Sequence, residues 1–97
     1  MSWVASAASK RRLAMERSQF LASWACWRDA CSDLRSAYSC WARCLTPQRA
    51  LAFANFRAAL DREEHAARVY ADSAERLHAA SKGFAATAGT ARQPGAV

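Results

Sequence analysis

Glycine and proline are nearly absent from this sequence, three of one and two of the other among 97 residues. With so little turn vocabulary the elements must be few and long. No stretch alternates apolar and polar positions with β-branched residues, which argues against a sheet. No apolar run approaches the ~20 residues needed to cross a bilayer; Ser18 to Trp27, among the longest uncharged runs, falls well short. A secretory leader would place its basic residues first, whereas here the apolar stretch from Trp3 to Ala8 precedes Lys10, Arg11 and Arg12. Acidic residues are scarce, eight against fourteen basic ones, of which twelve are arginine, for a net charge of +6. Glycine-rich phosphate loops and nucleophile motifs are missing too, so catalysis has little to stand on and a non-enzymatic protein is expected.

What is present is helical patterning. Hydrophobic residues make up 53% of the chain, too many for a disordered one. From Phe20 to Leu45 the bulky residues recur at alternating spacings of four and three: Phe20, Trp24, Trp27, Cys31, Leu34, Tyr38, Trp41, Leu45. This is a heptad seam written mostly in aromatics. Its two inward rows read Leu13, Phe20, Trp27, Leu34, Trp41 and Arg17, Trp24, Cys31, Tyr38, Leu45. Arg17 is the single charge on them.

Thr46-Pro47 is the clear break, with Thr at an N-cap and Pro at the first position of a new helix. Helix 1 is therefore expected over about 13–45, after an N-terminal extension, 1–12, that can itself be helical. Helix 2 is expected over about 47–82, with Gly83 as its left-handed terminator and a disordered tail over 85–97. Its seam reads Phe53, Phe56, Leu60, Glu63, Ala67, Tyr70, Ala74, Leu77, Ser81, Phe84, beside alanine rows that include Ala52, Ala59, Ala66 and Ala80.

Two long helices joined by a tight turn must lie antiparallel, pairing levels whose residue numbers sum to about 92. The expected fold is all-α, a two-helix antiparallel coiled-coil hairpin. Arg17 is expected near Asp72 and Glu75, and Arg28 near Glu63 and Glu64. So small a chain seldom supports itself on one seam, and completion of a four-helix bundle by dimerisation is the physical expectation.

Four cysteines without a leader read as reduced thiols in a cytoplasm. Cys26 and Cys40 would lie ~21 Å apart along one helix, too far to share an ion with Cys31 and Cys44. Glu75-Arg76-Leu77-His78 has the Glu-x-x-His pattern of ferritin-like di-iron proteins, and Glu63-Glu64-His65-Ala66-Ala67 resembles encapsulated-ferritin hairpins. Arg62 stands three residues before His65, however, and no set of inward carboxylates faces His78. No metal or cofactor is expected.

A helical hairpin of this length resembles the WxG-type secreted proteins of actinobacterial secretion systems. The chain has Trp41-Ala42-Arg43 where those carry Trp-x-Gly, and Ala74 where an acid would follow Tyr70. The resemblance is architectural, and it implies an exported, partner-dependent hairpin as one alternative.

The function expected from these residues is an interaction or assembly module that self-associates or docks another helical protein, with no membrane partner. Its packing and interface residues would be Phe20, Trp24, Trp27, Tyr38, Trp41, Phe53, Phe56 and Tyr70. The other alternative is a small basic accessory protein holding nucleic acid through Lys10, Arg11, Arg12 and the arginines of helix 1.

Overall fold

The computed structural model describes residues 2–92, with side chains over 7–86. Two helices account for nearly all of this: α1, Ser2–Arg43, and α2, Thr46–Arg92, packed as an antiparallel hairpin. No described residue is in a strand. Cys44 and Leu45 make the connection. The Cys44 N–H donates to the Trp41 carbonyl at 3.3 Å, and the Gln48 N–H donates to the Leu45 carbonyl at 3.1 Å. Pro47 lies in the first turn of α2, where its missing N–H leaves no gap in the helical ladder. Among the described residues no helix is long and apolar enough to cross a membrane.

Both helices are longer than their patterning suggests. α1 takes in the N-terminal extension from Ser2 and ends at Arg43. α2 passes through Gly83 and continues to Arg92, although a stop was expected at Gly83 and disorder from residue 85. No described residue has a positive φ, so the left-handed terminator is not used. Glycine inside a helix costs only about 1 kcal/mol relative to alanine. Phe84, half-buried and seven residues beyond Leu77, gives the helix a reason to continue. The end of the expected tail, 93–97, lies outside the described residues, as does the Trp3 side chain.

The described residues group into two compact units, one comprising the helices up to Leu21 and from Ala71 onward, the other Ala22–Tyr70. In the first, Glu16, Ser73 and Ala80 are buried, with Leu13, Phe20, Leu77 and Phe84 half-buried around them. In the second, only Ser23 and Ala59 are buried, with Trp27, Leu34, Trp41, Phe56 and Tyr70 half-buried.

These residues correct the expected seam. One row of each helix is as expected: Leu13, Phe20, Trp27, Leu34, Trp41 on α1 and Phe56, Glu63, Tyr70, Leu77, Phe84 on α2, all half-buried. The expected second row holds only in part, at Cys31, Leu60, Ala67 and Ala74, which are half-buried; the row that is inward throughout lies one residue earlier in both helices. On α1 it is Glu16, Ser23, Ala30, Ala37, Cys44, and on α2 it is Ala52, Ala59, Ala66, Ser73, Ala80, each buried or half-buried. Arg17, Trp24, Tyr38, Leu45, Phe53 and Ser81, assigned inward from the pattern, are exposed. The reason is steric. A seam with bulky side chains on every row would hold the helix axes apart, whereas alternating large and small rows let facing surfaces interdigitate. Apart from Glu16, the buried residues are accordingly alanine and serine, and Ser73 is the largest that is fully buried.

Candidate functional site

Within the Ala22–Tyr70 unit, the aromatic side chains concentrate near the turn. Trp41 stacks on Phe56 with ring centroids 5.3 Å apart and planes within 13°, and meets Phe53 at 5.2 Å in a tilted arrangement. Tyr38 packs edge-on against both Phe56 at 5.7 Å and Trp41 at 6.0 Å. Four rings from two helices thus form one cluster, of the geometry that aromatic quadrupoles favour. The cluster is not sealed. Tyr38 is 53% exposed and Phe53 40%. An open groove of about 480 Å³ runs beside them, lined by Leu34, Arg35, Tyr38, Ser39 and Phe56.

Further from the turn in the same unit, Trp27 stacks on Tyr70, 5.5 Å between centroids and 4° between planes. Its indole N–H donates to the Glu63 carboxylate at 3.3 Å. Glu63, placed on an inward row by the pattern and expected near Arg28, is the acceptor that lets a tryptophan edge sit in the seam. Arg28 does not serve Glu63 as expected; its guanidinium lies over the Trp24 ring at 5.2 Å. Arg49 lies over Trp41 at 5.3 Å, a contact the heptad pattern did not suggest. An arginine three or four residues along a helix from an aromatic, as Arg28 is from Trp24, is the signal that could have found the first of these.

In the other unit, the expected pairing of Arg17 with Asp72 or Glu75 gives way to Glu16 with Arg76. The Arg76 Nε donates to Glu16 Oε2 at 3.3 Å, with the Glu16 side chain 8% exposed and that of Arg76 47%. The level is the one that antiparallel pairing anticipates; the rotation of α1 is not. Phe20, an expected interface residue, is half-buried here. Lys10, Arg11 and Arg12 are exposed along α1.

The thiols are free, Cys26 and Cys40 exposed, Cys31 and Cys44 half-buried. Among the described residues no three His, Cys, Asp or Glu side chains converge in a way that could hold a metal. His65 and His78 are exposed. The aromatic face of the Ala22–Tyr70 unit, with its open groove, is the strongest candidate site. Compared with family models, with curated proteins and with solved structures, the chain finds no match.

Proposed function

We propose that this chain is a non-enzymatic interaction module, a helical hairpin whose aromatic face is completed by a second helical surface to give a four-helix bundle. One contrast in the Ala22–Tyr70 unit supports this most directly. Its buried interior consists of Ser23 and Ala59, while Trp24, Tyr38, Phe53 and Leu45 are 40–77% exposed. Burying a large apolar side chain fully contributes about 1.5–3 kcal/mol, so leaving several about half in water forfeits part of that stabilisation. Grouped exposed apolar residues of this kind mark association surfaces.

A second copy laying the same face against the first is the simplest completion and the one to test first. Light scattering and thermal melting over an about hundredfold concentration range read it directly, because association linked to folding raises the melting temperature with concentration. The expected result is a dimer mass and a rising melting temperature, both lowered in Trp24→Ser/Phe53→Ser. A chain that stays monomeric with a constant melting temperature excludes the homodimer and leaves the face to a different helical protein. An absorbance ratio on the same sample reports any copurified nucleic acid.

A further inference from the structure

The aromatic face is flanked by four arginines. On α1, Arg28 lies over Trp24, and Arg35, three residues before Tyr38, lines the groove. On α2, Arg49 lies over Trp41, and Arg57 follows Phe53 by four residues, one turn along the same side of the helix. All four are exposed. None has a carboxylate partner among the described residues, where Arg76 and Glu16 form the ion pair. On that side of α2 the acids nearest Arg57 are Asp61, one turn beyond it, and Glu64, seven residues beyond.

We propose that this face takes an acidic amphipathic helix from another protein, an inference that rests on the interaction-module reading and names the partner's chemistry. Apolar side chains of the incoming helix enter the groove between Leu34, Tyr38 and Phe56. Its flanking carboxylates meet Arg35 and Arg57, whose planar guanidinium groups suit carboxylates in two-point contacts. Tryptophan, tyrosine and arginine around an apolar groove are also the residue types that dominate binding energy at protein interfaces. A second copy is the poorer occupant, because it sets the arginine rim of one hairpin against the same rim of the other. Its association is the weaker state that an acidic helix displaces. A nucleic acid strand is disfavoured at Trp41: bases need a free aromatic face to stack on, and this ring is already stacked on Phe56 and covered by Arg49.

The experiment uses the full chain and two labelled synthetic helices about three heptads long, each with leucine on one side, one flanked by glutamate and the other by lysine. Fluorescence anisotropy should show the glutamate helix binding at least about tenfold more tightly than the lysine helix, with the difference shrinking as salt is raised. Arg35→Glu/Arg57→Glu, checked for unchanged helicity by circular dichroism, should reverse the preference. Arg11→Glu/Arg12→Glu should leave it in place. Equal binding of the two helices, or their displacement by a thymidine oligonucleotide at lower concentration, overturns the proposal. So does a glutamate helix that fails to bind while the chain dimerises through Trp24 and Phe53, a result that leaves the interaction module itself standing. Failure of both, in a stable monomer indifferent to Trp24→Ser/Phe53→Ser, overturns both readings.

Discussion

Trp27 and Tyr70 stack face to face, 5.5 Å between ring centroids, with their planes only 4° apart. The same indole gives its N–H to Glu63. One side chain of α1 thus binds two turns of α2, by dispersion at one and by a hydrogen bond to a charged group at the other. Trp27→Phe keeps a ring for Tyr70 and removes the donor, and should destabilise by roughly 1.5–3 kcal/mol, the contribution of a hydrogen bond to a charged group. Trp27→Ala removes both and should cost more, within the roughly 3–5 kcal/mol seen for such truncations. Urea titrations of the three proteins measure the order.

The Glu16–Arg76 pair should respond asymmetrically. Arg76→Ala leaves a carboxylate in a buried position without its donor, an uncompensated group that costs about 1–3 kcal/mol or more. Glu16→Ala leaves Arg76, already half in water, free to hydrate, and puts a small residue in a row otherwise made of small residues. It should therefore destabilise less than Arg76→Ala. The double variant should lie close to Glu16→Ala, with the coupling read from a double-mutant cycle in chemical denaturation.

The rotation of the seam is tested by enlarging small residues. Ala59 is 1% exposed, and Ala59→Leu should cost about 1–3 kcal/mol through overpacking. Ala58→Leu, one residue away on the exposed side of α2, should stay within about 0.5 kcal/mol of the parent. Equal effects at the two positions would mean that Ala59 does not lie in the interior.

Gly83 offers a stabilising change. It lies inside α2, and a Cβ added there meets no atom within 4 Å. Gly83→Ala should raise stability by about 0.5–1 kcal/mol, through helix propensity and a less flexible unfolded chain. If α2 instead ended at Gly83 in a left-handed conformation, the same substitution would lower the melting temperature.

The contrast between Trp24 and Ser23 shows where sequence reasoning stopped. Helical period, the paucity of glycine and proline, and the Thr46-Pro47 break were sufficient for two helices, their antiparallel pairing and the large row of each seam. Those features are local, and they follow from one chain's backbone and turn chemistry. Which neighbouring row faces inward is not local. From Phe20 the next inward residue can be three or four positions on, and hydropathy favours Trp24 over Ser23. The facing helix decides otherwise: its own row of Ala52, Ala59, Ala66, Ser73 and Ala80 is buried or half-buried, and small rows let two helices approach closely. That choice turned Glu16 inward to Arg76 and left Trp24 and Tyr38 outside. The aromatic face is therefore a product of helix-to-helix packing, which no residue's own hydrophobicity could specify.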